Sequence, residues 1–197
     1  NLAGDLNLLG SQDLTLNGLV NGIGGLTKRG AGRLTLNGNN AFQGGVTLMG
    51  GNLNVGQDTA LGEGTLTVRN AAILDSSRAV TLANNVQLSA ALTLGGSNDL
   101  TLNGTIDGYQ ELIKNGAGQL TLNGENRHSG GTTINAGNLN LGNASALGTG
   151  MLNVMGNSAL DTAGPMRLGN DVNVGGTLTM AGNNSLILDG LISGNGT

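Results

Sequence analysis

The chain has 197 residues, of which 38 are Gly, 34 Leu and 28 Asn, while aromatic residues make up 1% and Trp is absent. Disorder is excluded because it needs few aliphatic residues and high charge, whereas 38% of this chain is hydrophobic and 10% is charged. Collagen is excluded because Gly has no three-residue period and the chain has one Pro. The composition therefore predicts an ordered, repetitive β structure with an aliphatic interior.

Charge and cysteine content narrow the possible partners. The net charge is -4, and the eight Lys and Arg residues are scattered, so the basic stripe that nucleic-acid binding needs is missing. No apolar run approaches the ~20 residues that cross a bilayer. The absence of Cys excludes disulfides and thiolate metal sites. Because the chain starts at Asn1 without a signal peptide, we expect a mature segment or an excised part of a longer protein.

A tandem repeat of 86 residues accounts for most of the chain. Residues 13–98 align with residues 99–184 without a gap, and 41 of the 86 positions are identical. Residues 1–12 and 185–197 continue the register as partial copies. Such a match indicates tandem duplication, and we predict that the whole chain forms a single domain.

Short alternating triplets recur inside each copy. The first copy divides into four stretches, 14–33, 34–52, 53–73 and 74–99, each of which opens with Leu. Alternation over such short runs, bounded by Asn-Gly or Gly-Gly, predicts strands with Leu and Val on one side and Thr, Asn and Gln on the other. The triplets of the first copy include Leu14–Leu16, Leu53–Val55, Leu66–Val68, Val80–Leu82, Val86–Leu88 and Leu92–Leu94.

Strands of three residues are too short for a stable isolated sheet, but they can form coils of about 20 residues that stack on one another. Stacking in parallel at about 4.8 Å per coil places Leu over Leu in the interior. The sequence therefore predicts an all-β fold, a right-handed parallel β-helix with essentially no α-helix. Four coils per repeat unit give roughly nine coils and a rod about 40 Å long.

Part of each repeat resembles a known family motif. Residues 30–45, with the sequence GAGRLTLNGNNAFQGG, resemble the passenger-associated transport repeat of autotransporter proteins. The resemblance continues through residues 46–56 and 60–68, and the second copy runs over residues 116–154. The core motif covers about forty residues in each copy, and the β-helical style of sequence covers the whole chain.

This resemblance implies a right-handed β-helical passenger of the type V secretion pathway, exported across the outer membrane of a Gram-negative bacterium. The implied partners are the neighbouring coils and a C-terminal outer-membrane β-barrel, which we expect in a longer parent protein because this chain shows no barrel segment. The implied localisation is the cell surface or the extracellular space. The second copy departs from the motif because His128 stands where the first copy has Phe42.

Paired carboxylates are the first candidates for catalysis, because some β-helices degrade polysaccharides. Two catalytic carboxylates must lie within roughly 5–10 Å of each other in a glycosidase. The regular acidic pairs are Asp13 with Asp99 and Asp75 with Asp161, each one unit apart, which predicts about 19 Å along the rod. Asp13 and Asp99 precede Leu-Thr-Leu strands, so we predict a turn role for them. Unrelated acids on neighbouring coils remain possible partners.

The remaining candidates also favour structural roles. His128, the only His, is followed by Ser129, but it occupies the place of Phe42, so the sequence favours a packing role. The tandem Gly-Gly-x-Gly-x-Asp nonapeptides of calcium-binding solenoids are absent. Lys28 and Lys114 are predicted to lie on the surface. We therefore assign no catalytic, cofactor-binding or metal-binding residue, and we expect no cofactor.

Two functions remain open. The first is a non-catalytic stalk or scaffold of a secreted surface passenger, which supports adhesion, self-association or display on host or bacterial surfaces, as expected of adhesins and virulence factors. The second is a carbohydrate-binding or polysaccharide-degrading β-helix whose active site lies outside this chain. Duplication lengthens a stalk directly but does not obviously improve an active site, so the sequence favours the first.

Overall fold

A computed structural model describes all residues from 1 to 197. The chain forms a parallel β-solenoid of about nine turns with 45% strand and no helix, which confirms the predicted fold class. No segment of the structure is a helix that could span a membrane. Right-handed winding remains the expected hand, since parallel crossovers are almost always right-handed.

Each turn crosses three strand-bearing faces, which we call A, B and C in chain order. Face A contains Leu6–Leu8, Leu26–Lys28, Val86–Leu88, Ile106–Gly108, Met166–Leu168 and Leu186–Leu188. Face B contains Leu14–Leu16, Leu34–Leu36, Leu92–Leu94, Leu112–Lys114, Thr132–Ile134, Leu152–Val154, Val172–Val174 and Ile192–Ser193. Face C contains Asn21–Gly22, Ala41–Phe42, Val80–Leu82, Leu100–Leu102, Leu120–Leu122, Gly137–Leu141, Ser158–Thr162 and Leu178–Met180. Two longer strands, Val46–Val55 and Leu66–Ser76, run from face A onto face B.

Burial along the strands follows the predicted alternation. Leu34 and Leu36 are 1% and 0% exposed, whereas Thr35 between them is half-buried on the outer side. The inward side chains of successive turns stack in register to form one aliphatic core of 36 buried residues. The core is almost free of aromatic rings, and its continuity along the rod provides the hydrophobic stabilisation that each short strand lacks.

The repeat unit spans four turns and one additional face, so the predicted four turns per unit are wrong. Counted along the stacked strands of face A, Ile106 lies four turns of 20 residues each after Leu26. Leu112, the counterpart of Leu26 in the second unit, follows six residues later and pairs with Leu92 on face B. The second unit is therefore rotated by about a third of a turn relative to the first.

The additional face lies in the stretch 74–99, for which the sequence predicts a single coil. Strands begin at Val80, Val86 and Leu92 and cross faces C, A and B in succession. This six-residue spacing leaves only three residues for each corner. As a result, equivalent outward positions of the two units lie on different sides of the rod.

Candidate functional site

The polar residues shared by both repeat units are the candidates for a functional site, and the lysines among them lie where the sequence analysis did not place them. Lys28 and Lys114 are 3% and 1% exposed, so the predicted surface position is wrong. Each is the third residue of a strand triplet, where the side chain points inward. The aliphatic stem fills a place that Leu takes in other turns, and only the ammonium group needs polar partners.

Backbone carbonyl groups at the corner between two faces supply those partners. The Nζ atom of Lys28 donates a hydrogen bond to the carbonyl oxygen of Gly30 at 2.8 Å. The Nζ atom of Lys114 donates to Gly116 at 2.6 Å and to Ala136 of the following turn at 2.9 Å. Each lysine therefore ties a corner of the rod together, and in the second unit the bond crosses from one turn to the next.

A glycine of the following turn covers each ammonium group. Gly51 and Gly137 have φ angles of +74° and +77°, and a Cβ at either position would lie 2.7 Å from the Nζ atom beneath it. Both the backbone conformation and the close approach therefore require glycine. Burial lowers the pKa of Lys28 and of Lys114, and a nearby carboxylate, Asp13 or Asp99 respectively, partly opposes that shift.

The two aspartates of each regular acidic pair lie apart in the structure, as their spacing of one repeat unit predicts. Asp13 precedes a strand of face B, whereas Asp99 precedes a strand of face C about four turns further along. Asp13 accepts a hydrogen bond from the backbone N–H of Arg33 at 2.8 Å, and Asp99 accepts one from Gln119 at 2.8 Å. Each aspartate satisfies a donor of the next turn, which is the turn role predicted for it.

The second acidic pair is also separated by the rotation of the unit, with Asp75 on face B and Asp161 on face C. Asp75 accepts hydrogen bonds from the backbone N–H of Ser76 and from the hydroxyl of Ser97. Asp161 accepts one from the backbone N–H of Thr162. No group of three His, Cys, Asp or Glu side chains is placed to hold a metal ion.

Buried asparagines that the sequence analysis did not single out provide further backbone ties. Asn40 and Asn126 occupy equivalent positions and donate to the carbonyl oxygens of Ala60 and Ala146 at 2.7 and 2.6 Å. Asn84 and Asn170, also equivalent, each donate to two carbonyl oxygens of the preceding turn. Their recurrence at the 86-residue offset was the available signal, but burial could not be inferred from it.

The single histidine is fully buried, in a packing position like that of Phe42. Phe42 and His128 both have 0% exposure, and each ring packs against a glycine of the next turn, Gly62 or Gly148. The Nε2 atom of His128 lies 3.1 Å from the Thr132 hydroxyl, whereas its Nδ1 atom has no hydrogen-bond partner.

A second substitution accompanies the histidine. Thr132 is the counterpart of Val46 in the first unit, so the apolar pair Phe42 and Val46 is replaced by the hydrogen-bonded pair His128 and Thr132. A neutral ring that donates from Nε2 to the hydroxyl leaves only an unpaired acceptor at Nδ1. Protonation would add a buried charge and a donor without a partner. Burial accordingly lowers the pKa of His128, against smaller opposing effects of the Ile106 backbone and Asp107.

We expect this pair to make the protein less stable in mild acid. Because the pKa of His128 is lower in the folded chain than its ordinary value of 6.5, the unfolded chain binds more protons in the window below pH 6.5. The free energy of unfolding should therefore fall as the pH falls through 6.5, by at most about 1.4 kcal/mol per pH unit. Urea denaturation at pH 7.5 and pH 5.0 measures the difference.

The double variant His128→Phe/Thr132→Val is the matched control, because it restores the apolar pair of the first unit. It should lose the part of the pH dependence that comes from His128. The reverse transplant, Phe42→His/Val46→Thr, should introduce a second such dependence. If wild type and the restored variant respond identically to pH, the buried imidazole does not control acid stability.

Comparison with known families agrees with this geometry. The family model described as Passenger-associated-transport-repeat matches residues 26–55 and 112–141. Each match begins at the strand that carries a buried lysine, Lys28 or Lys114, and extends past the glycine that covers it. The chain therefore carries two passenger-associated transport repeats, and its β-solenoid matches an autotransporter passenger with β-helical repeats. No curated protein and no solved structure matches this chain at a significant level.

The two matched repeats belong to a structural family of passengers rather than to an enzyme family. Passengers with this repeat are exported across the outer membrane, and the family implies a C-terminal translocator barrel in addition to the stacked coils. The lysine–glycine contact lies inside both matched ranges. The matched repeat therefore includes the buried lysine and the buried asparagine Asn40 or Asn126, whereas Asn84 and Asn170 lie outside it.

Proposed function

We propose that this chain is a passenger segment that serves as a non-catalytic stalk or scaffold at the bacterial surface, where it spaces and displays functional regions of its parent protein. One observation carries the proposal. The polar residues shared by the two units and buried in the rod, Lys28, Asn40 and Asn84 with their counterparts, direct their hydrogen bonds to backbone groups of their own or adjacent turns. Groups used in this way stabilise coils and are not available for substrate chemistry.

The duplication supports the same role. Each additional unit of four turns and one face lengthens a rod by about 21 Å at 4.8 Å per turn. The outward side chains of the faces are mainly Thr and Asn, which suits a surface in contact with water. Adhesion, a role in virulence and localisation at the cell surface are part of this proposal, as is the absence of catalytic, cofactor-binding and metal-binding residues.

A deletion of one unit tests the scaffold role. Because residues 99–184 repeat residues 13–98, removing 13–98 leaves every later strand in a position compatible with the preceding coil. The shortened protein should keep its β circular dichroism and its cooperative unfolding, while small-angle X-ray scattering should show a rod shorter by about 21 Å. Loss of folding in this variant would contradict a modular stalk.

The second candidate function is carbohydrate binding or degradation. Two equivalent open clefts beside Asn84 and Asn170 favour it, but both amides already donate to backbone carbonyl groups. A screen of the purified chain against polysaccharides should show neither saturable binding nor release of reducing ends. Saturable binding that is lost on changing residues of both clefts would favour the carbohydrate-binding function over the scaffold.

A further inference from the structure

The outer surface of face B carries a row of residues whose chemistry is symmetric about its centre. The row consists of Asn52, Ile73, Thr93, Ile113 and Thr133, each paired in register with the next across successive turns. Both isoleucines point outward, and Ile73 is 39% exposed. Read from either end, this Ile row runs polar, isoleucine, threonine, isoleucine, polar. The same register continues into Arg33 before Asn52 and into Asn153 after Thr133, both of which are polar.

The rotation of the repeat unit creates this row. Ile73 belongs to the first unit and its counterpart in the second unit is Ala159, while Ile113 belongs to the second unit and its counterpart is Thr27. The two isoleucines therefore occur at unrelated positions of the repeat. They share one face only because the second unit begins one face further round the rod.

We propose that face B pairs with face B of a second copy of this chain, with the two rods antiparallel and a two-fold axis at Thr93. This axis places Ile73 of one copy against Ile113 of the other, and Asn52 against Thr133, so each contact occurs twice, as an isologous interface requires. Parallel rods in register would instead place each isoleucine against itself and would not use the symmetry of the row.

Neighbouring rows fit the same axis. Two residues further along each strand, Asp75 lies one turn before Gly95 and Asn115 lies one turn after it. The two-fold axis therefore sets the Asp75 carboxylate against the Asn115 amide of the partner copy. At the corner before face B, Arg69 and Tyr109 occupy the turns on either side of the axis, so the guanidinium faces an exposed phenol ring, a favourable cation–π arrangement.

The size of the row sets the strength of the pairing. Five turns span about 24 Å, and a face about 15 Å wide gives roughly 350 Å² on each partner. Standard stable interfaces bury about 800 Å² on each partner. The pairing is therefore weak and depends on concentration. It deepens the scaffold function proposed above and rests on it, but a rod that stays monomeric would still space and display, so the two proposals fail separately.

Sedimentation equilibrium of the whole chain at increasing concentration tests the pairing. Wild type should associate reversibly, and Ile73→Asp or Ile113→Lys should each weaken association at least tenfold, because each places an unpaired charge in the interface twice. Ala159→Asp introduces an aspartate at the equivalent position of the other unit, which lies on face C, and should leave association unchanged. A strict monomer, or association that survives Ile73→Asp, overturns the proposal.

The double variant Ile73→Asp/Ile113→Lys tests the orientation. Antiparallel pairing about Thr93 sets the two new opposite charges against each other, so the double variant should associate more strongly than either single variant. Parallel pairing would set like charges together and would not recover. A double variant as weak as the single variants therefore overturns the antiparallel arrangement.

Cysteine cross-linking tests the position of the axis, since the chain has no native Cys. Thr93→Cys should form a disulfide-linked dimer on mild oxidation, because the two-fold axis brings this residue against its own copy. Thr101→Cys, the central residue of a Leu-Thr-Leu strand on face C, should cross-link several-fold more slowly. Equal rates for the two variants would place the contact elsewhere and overturn the proposal.

Discussion

Replacing Leu122 by alanine is expected to reduce the free energy of unfolding by about 2–5 kcal/mol, the usual range for Leu→Ala in a packed core. Leu122 is 0% exposed and stacks in face C between Leu102 of the turn before and Leu141 of the turn after. The alanine would leave a cavity bounded on both sides by in-register coils, which cannot collapse without breaking their ladders. Urea denaturation monitored by far-UV circular dichroism measures the loss.

The neighbouring residue provides the matched control. Thr121 precedes Leu122 in the same strand but points outward and is half-buried. Thr121→Ala should cost less than about 1 kcal/mol, as for most surface changes. Leu36→Ala, the same change in the first unit, should again cost about 2–5 kcal/mol. Similar losses for Leu122→Ala and Thr121→Ala would mean that the inward and outward sides of the coil are misassigned.

Lys114→Ala should be about as destabilising as a core truncation, although it removes a charged residue. Its buried stem occupies the interior, and its ammonium group satisfies carbonyl oxygens of Gly116 and Ala136. Truncation leaves a cavity together with unpaired acceptors, and we expect a loss of about 2–5 kcal/mol. Chemical denaturation at neutral pH measures this loss of stability.

A methionine at the same position separates the contribution of the apolar stem to stability from that of the charged group. Lys114→Met keeps most of the apolar volume, so it should recover part of the loss and leave about 1–3 kcal/mol for the unpaired carbonyl groups. Arg127→Ala, on the exposed surface of the same unit, should change stability by less than about 0.5 kcal/mol. If Lys114→Ala changes the free energy of unfolding as little as Arg127→Ala does, the lysine does not stabilise the corner.

The fold class could be predicted because its signal is local. Each triplet, such as Leu34–Leu36, already shows which side chain is buried, and short strands with 20-residue recurrence leave few architectures other than a solenoid. The number of faces per unit could not be predicted as easily. The stretch 74–99 contains strands only six residues apart, and counting stretches by their opening Leu residues missed one complete face.

The burial of the two lysines could not be predicted from the residue type alone. Burial of an unpaired charge is costly, so the residue type favours a surface position, whereas the place of Lys28 as third residue of its triplet favours the interior. The compensating acceptors are backbone carbonyl groups of corners, and for Lys114 one of them belongs to the next turn. Side-chain types do not reveal such acceptors. Similarly, the sequence does not show that Thr132 is the hydrogen-bond partner of His128, because only the folded chain brings the two side chains together.

The most direct test of the account is a pair of distances between spin labels on cysteines introduced into this Cys-free chain. Labels at Thr35 and Asn115, four turns apart on face B, should be about 19 Å apart by pulsed electron paramagnetic resonance. Labels at the equivalent residues Thr35 and Thr121 should be about 30 Å apart or more, because Thr121 lies on face C and its label projects in another direction. A distance of about 19 Å for Thr35 and Thr121 would mean that one unit makes four whole turns. That result would contradict the rotated repeat and the Ile row that depends on it.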